Sequence, residues 1–215
     1  MAKTTAPLMS FEAAGQLGNA LVFSKWKGRP YARRYTIPAN PDTAAQQTVR
    51  NSFQWLQRTW PFLPSATRAS WTLYADNSRF TERNGWTKIN QPLLRSETDL
   101  TNILLSTAAG GGIASGGATF TAASQAITIA ITAPTLPSGW SIVAAHSCAI
   151  EDGNPQTGFT PDIAAGTDTT DPYEPNISGL LATTQYVVNA WFEYLKPDGS
   201  SAYGAVETDV VTTLA

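Results

Sequence analysis

This chain has almost no redox or metal chemistry in its composition. Its 215 residues include one cysteine, Cys148, and one histidine, His146. One cysteine excludes an internal disulfide and reads as a small buried apolar residue. Folding without disulfides fits a reducing cytoplasm. One histidine and one cysteine cannot supply a tetrahedral zinc site. They do stand two residues apart in a strand-like stretch, where i and i+2 share a face, so a Cys–His pair is geometrically conceivable. A nucleophile–base pair also needs an orienting third group and an oxyanion site, and the sequence offers neither; no catalytic residue and no cofactor is expected. No apolar run approaches the ~18 residues of a membrane span. The start, Met1–Gly15, lacks the continuous apolar core of a signal peptide, so none is expected.

Charge of each sign is scarce in one half. Residues 1–95 hold 13 basic residues against Glu12, Asp42, Asp76 and Glu82, a balance of +9. Residues 96–215 hold Lys196 alone against 12 acids, a balance of −11. Opposite fields imply different partners for the two ends, or head-to-tail attraction between copies. The content is otherwise that of a globular protein, 42% hydrophobic with a net charge of −2.

Punctuation and periodicity give an α+β organisation. A flexible arm over 1–14 is followed by a basic hairpin-plus-helices domain over 15–105. A Gly/Ala/Ser-rich hinge spans 106–117, and an all-β sandwich spans 118–215. The hairpin turns near Lys27-Gly28, and its second strand places Tyr31, Arg33, Tyr35 and Ile37 on alternate positions until Pro38 and Pro41. Thr43 and Gln46 form a capping box. Val49, Phe53, Leu56 and Trp60 then recur as one apolar helix stripe, which Pro61 and Pro64 end. Ser65 caps a second helix. A third spans about Thr81–Arg95, interrupted by Gly85 and Pro92, and Ser96–Asp99 caps a short one ending at Leu104-Leu105. Beyond 117 the period becomes strand-like at Ala126–Thr132, Ser141–Ile150, Gln185–Tyr194 and Val206–Thr213.

Several motifs resemble ligand sites only superficially. Gly110–Gly112 and Gly116-Gly117 lack the Gly-Lys-Ser/Thr of a P-loop. Glu151-Asp152 and Asp168–Glu174 carry oxygen ligands without EF-hand spacing. The segment from Lys25 to Tyr35 is different. Lys25, Trp26, Lys27, Arg29, Tyr31, Arg33, Arg34 and Tyr35 interleave cations with aromatic rings. That mixture suits a protein interface, where Trp, Tyr and Arg are the enriched anchors. It also suits nucleic acid, with cations on phosphates and rings for stacking, although an acidic C-terminal half opposes DNA. Trp26, beside the turn, is the tryptophan expected to be exposed; Trp55, Trp60, Trp71 and Trp86 are expected in a core.

Two family resemblances follow from particular residues. Gly179–Tyr186, followed by Val188, resembles the G-L-x-P-x-T-x-Y-x-V corner of fibronectin type III domains, with Ala182 at the proline position. The resemblance implies a tyrosine corner at Tyr186. The family's tryptophan on the second strand is missing. Ile127, Ile129 and Ile131 stand there, leaving Trp140 or Trp191 to fill the volume. The N-terminal half, about residues 10–95, resembles a small module of bacteriophage structural proteins. Gly18, Lys25–Arg34 (KWKGRPYARR), Ile37–Gln46 (IPANPDTAAQ), Val49-Arg50 and Phe53 carry it, with Trp71 and Asn90 in the same pattern. That resemblance implies a non-enzymatic virion structural protein, assembled in the host cytoplasm. Its expected role is head decoration, bound to capsid or tail subunits in a homo-oligomeric or symmetric array. The docking expected is strand pairing through residues 29–41 with aromatic and arginine anchors, the sandwich projecting on the glycine hinge. A tail or host-glycan adhesion module, binding through loops near 151–159 and 167–174, and a DNA-associated packaging or connector protein are the alternatives.

Overall fold

A computed structural model describes residues 14–37, 39–76, 79–95, 97 and 99–215. The arm expected over 1–14 falls outside them but for Ala14, as do Pro38 and Ser96. The chain divides into two compact units at Asp42/Thr43.

The first unit is a three-stranded antiparallel sheet of β1 (Gly15–Leu17), β2 (Leu21–Trp26) and β3 (Arg29–Arg34), in the order β1-β2-β3. Trp26 pairs with Arg29, so the β2–β3 loop has two residues, Lys27 and Gly28. Both have positive φ, 48° and 78°. That is the geometry of a type I′ turn, whose twist matches its flanking strands and which needs glycine at one position at least.

The second unit begins with α1 (Ala44–Thr59). Gln46 N–H donates to Thr43 Oγ1 at 3.4 Å and Thr43 N–H to Gln46 Oε1 at 3.4 Å, the two halves of the capping box. The face α1 buries is set by Ser52, Trp55, Leu56 and Thr59. The expected stripe is corrected by about one residue: Leu56 and Trp60 are buried, whereas Val49 and Phe53 are exposed, Phe53 by 47%. A 3-10 turn at Trp60–Phe62 carries Pro61. It leads to α2 (Ser65–Asp76) and α3 (Glu82–Leu94), capped by Thr81. α3 runs through Gly85, whose missing side chain makes room for Tyr74 and Phe80, and through Pro92 in its last turn. The short helix expected to end at Leu104-Leu105 does not form. Residues 99–105 are irregular, and their backbone is held by side chains from elsewhere: Trp71 Nε1 donates to the Leu105 carbonyl, Asn90 exchanges hydrogen bonds with both backbone groups of Leu104, and Asn189 Oδ1 accepts from Leu105 N–H. Leu100, Ile103 and Leu105 are thereby fully buried.

Two sheets complete the unit. One contains β4 (Ala118–Ala123), β5 (Ala126–Ile131) and β8 (Ile177–Ser178). The other contains β6 (Ser141–Glu151), β7 (Ile163–Asp168), β9 (Gln185–Leu195), β10 (Ser201–Tyr203) and β11 (Glu207–Thr212). Its order is β10-β9-β6-β7, with β11 also on β9. Every strand pair is antiparallel. The fold is α+β with a β-sandwich. Tyr186 makes the corner between its strands: the phenol accepts from Leu181 N–H at 3.0 Å and donates to Asp162 Oδ2 at 2.7 Å.

The larger sheet is covered on both faces. Ala145, Ala149, Val188, Ala190, Phe192 and Tyr194 meet Ile127, Ile129 and Ile131 of the smaller sheet. Cys148, Ile150, Val187, Trp191 and Tyr203, one residue out of phase along the strands, meet Trp55, Leu56, Trp71 and Trp86 of the helices. Three layers result, helices on sheet on sheet, with one core on each side of the middle layer. Trp191 therefore packs on the helical side. Trp140 stays partly buried on the other, its ring 6.2 Å from that of Tyr194.

This packing corrects the expected division at a glycine hinge. The helices and the sandwich are one unit, and residues 109–113 lie along β10. Tyr203 N–H donates to the Ala109 carbonyl at 2.8 Å. A Cβ on Gly112 would lie 1.7 Å from the Tyr203 carbonyl oxygen, and one on Gly110 would lie 3.0 Å from that of Ser201. Gly110 and Gly112 are small because backbone passes close to backbone there.

Candidate docking surface

The two faces of the first sheet differ, and strand register assigns each side chain to one of them. Residues directly opposite in an antiparallel pair share a face, and successive residues alternate. The pairs Val22–Arg33, Ser24–Tyr31 and Trp26–Arg29 place Trp26, Arg29, Tyr31 and Arg33 on one face. Tyr35, just past β3, continues its alternation. The pairs Leu21–Arg34, Phe23–Ala32 and Lys25–Pro30 place Lys25 and Arg34 on the opposite face, beside Leu21 and Phe23. Lys27 stands in the turn, its ammonium 5.0 Å from the centre of the Trp26 ring.

The eight residues singled out from the sequence are therefore split. Five make a guanidinium–aromatic surface, two lie behind it, and one caps its end. Trp26 is 65% exposed and Tyr31 40%. Tryptophans 55, 60, 71 and 86 are all buried in the second unit. In the sheet, Phe23 alone among the large apolar side chains is buried; Leu17 and Leu21 are exposed. A sheet this small leaves its apolar area in solvent.

The remaining polar features are structural in their geometry. Both His146 ring nitrogens are engaged, Nδ1 by Thr167 Oγ1 at 3.0 Å and Nε2 by Glu193 Oε2 at 3.1 Å. That hydrogen bond holds the Glu193 carboxyl below its ordinary range. Cys148 is fully buried, and burial pushes its thiol up to about 12, far from a thiolate at neutral pH. Asp168 is held below the usual carboxylate range by the N–H groups of Glu174 and Thr170, which fold the 168–174 loop around it. Glu151 and Asp152 likewise serve backbone, accepting from Asp162 N–H and Leu100 N–H. Among the described residues no three His, Cys, Asp or Glu side chains stand where they could share a metal ion.

Two surface depressions escaped sequence reasoning. A polar cleft of about 220 Å³ lies between α1 and the 156–158 turn, with Asn51, Gln54, Arg58 and Gln156 on its walls. A second, shallower one runs between α1 and α3 beside Val49, Lys88, Pro92 and Arg95. Both depend on which helix face meets the sheet, and Val49, read as core, had pointed the wrong way.

A scan against protein-family models finds no match, and a search of curated proteins finds none. Among solved structures the chain is similar to one described as "Myokine structure", 10% identical with a TM-score of 0.35, over 49% of this chain and 100% of that one. A likeness this weak carries no argument about this chain.

Proposed function

We propose that this chain is a non-enzymatic structural protein of a bacteriophage particle that docks through its first sheet onto neighbouring protein subunits. The observation that carries the docking half is the one-sided surface of Trp26, Arg29, Tyr31 and Arg33, with both rings exposed. Exposed Trp and Tyr are costly to leave in water, and with Arg they are the residues that dominate binding energy at protein interfaces. The virion half rests on the resemblance of Lys25–Arg34 and Ile37–Gln46 to a phage module. Head decoration is the favoured position. The second unit, packed as one body of helices and sandwich, is the part presented by that attachment. Repetition over a symmetric particle multiplies a modest affinity per copy.

Co-sedimentation with purified particles tests this reading. The intact chain should pellet with them, and the chain lacking residues 1–41 or carrying R29E and R33E should stay in the supernatant. Absence of the intact chain from particles would refute the virion assignment. Pelleting unchanged by either alteration would refute docking through the sheet.

A further inference from the structure

We propose that the outer edge of β3 receives an extended strand from another chain, and that the strand it fits is acidic. The proposal deepens the docking reading and rests on it.

Antiparallel ladders alternate between pairs that exchange hydrogen bonds and pairs that do not. Tyr35 N–H donates to the Ala20 carbonyl at 2.8 Å, which fixes the phase. Counting back, Arg33, Tyr31 and Arg29 direct their main-chain groups toward β2. Arg34, Ala32 and Pro30 direct theirs away from it. Pro30 checks this phase independently: its nitrogen carries no hydrogen and occupies a position where β2 needs none. The outer edge therefore presents the N–H groups of Ala32 and Arg34 and the carbonyls of Pro30, Ala32 and Arg34. Among the described residues none of these groups has a backbone partner.

The second unit covers one comparable edge. Beside β10, Ala109 takes the Tyr203 N–H. An open edge is a template for strand addition, and proteins blunt it with charge and proline where pairing is unwanted.

On β3 the charge has one sign. Residues 14–41 contain Lys25, Lys27, Arg29, Arg33 and Arg34 and no acid. A second β3 would set three arginines against three, which like-charge repulsion across adjacent strands disfavours. An acidic strand is attracted by the same field. Its side chains would fall beside Tyr31 and Arg33 on one face and beside Ala32 and Arg34 on the other. The small Ala32, next to Phe23, leaves room there for an apolar side chain.

The test uses the full chain and a fluorescent eight-residue peptide of alternating Glu and Val, read by anisotropy. Ala32→Pro removes an edge N–H that β2 does not use, as Pro30 already does. The wild-type chain should bind the Glu/Val peptide and not a Lys/Val peptide. Binding should weaken by about tenfold or more both in A32P and when alternate amides of the peptide are N-methylated. The methylated peptide gives this answer on the unmutated chain should A32P misfold. Binding unchanged by methylation would overturn strand addition and leave the arginines as point charges. Tighter binding of an oligo-dT strand than of the acidic peptide would overturn the acidic partner in favour of nucleic acid. Particles separate the two readings: if R29E/R33E stays in the supernatant while folded A32P pellets, docking stands and strand addition falls.

Discussion

Residues 118–215 expressed alone should fail to form a stable monomer. In the intact chain the helix-facing side of the larger sheet buries Cys148, Ile150, Val187, Trp191 and Tyr203 against α1–α3, each with at most 5% exposure. Fully burying an apolar side chain contributes about 1.5–3 kcal/mol, so stripping the helices removes roughly 8–15 kcal/mol, an upper figure because unfolded chains bury some area already. A whole domain is stable by only about 5–15 kcal/mol. The truncated sandwich should therefore lose near-UV ellipticity, bind ANS and show no sigmoidal urea transition. Residues 43–215 should unfold in one cooperative step. A 118–215 fragment with dispersed amide resonances and a urea midpoint equal to that of 43–215 would refute the shared core.

Three further outcomes follow from single positions. Gly112→Ala should destabilise by about 3 kcal/mol or more, since its Cβ meets the Tyr203 backbone; Gly111→Ala, with open space and φ of 76°, should cost only about 1–2 kcal/mol, both measured by urea denaturation. Tyr186→Phe removes the partner of Leu181 N–H and of Asp162, and should cost about 1–3 kcal/mol with the m-value unchanged. The lowered Glu193 pKa, caused first by its hydrogen bond to His146, means that its contribution is present above the ordinary Glu range and is lost as pH falls through the folded value. Glu193→Gln should therefore flatten the stability profile on the acid side of pH ~4.5, and an unchanged slope there would contradict the assigned role.

How much of this was legible depended on the range of the interaction. Thr43 reads Gln46 three residues away, Lys27-Gly28 sets its own turn, and Tyr186 reaches Leu181 five residues upstream, so each motif carried its geometry with it. The helix phase was harder. Val49 and Phe53 fit an apolar stripe as well as Trp55 does, and only the position of the sheet chose between them. One signal was present and points to the shared core: Ala144–Ile150 and Tyr186–Phe192 lack the polar alternation of a strand with one wet face, as strands covered on both sides do.

The docking surface divides the same way. Sequence alone determined its ingredients, cations and rings between Lys25 and Tyr35 with no acid among them, because composition needs no fold. Register then separated Lys25 and Arg34 from Trp26, Arg29, Tyr31 and Arg33, and turned the main chain of Ala32 and Arg34 outward. Tertiary structure alone decided that Gly110 and Gly112 are a point of close packing and not a joint. A glycine chosen for freedom and one chosen for lack of room are the same residue, and only the Ser201–Tyr203 backbone, some ninety positions along the chain, distinguishes them.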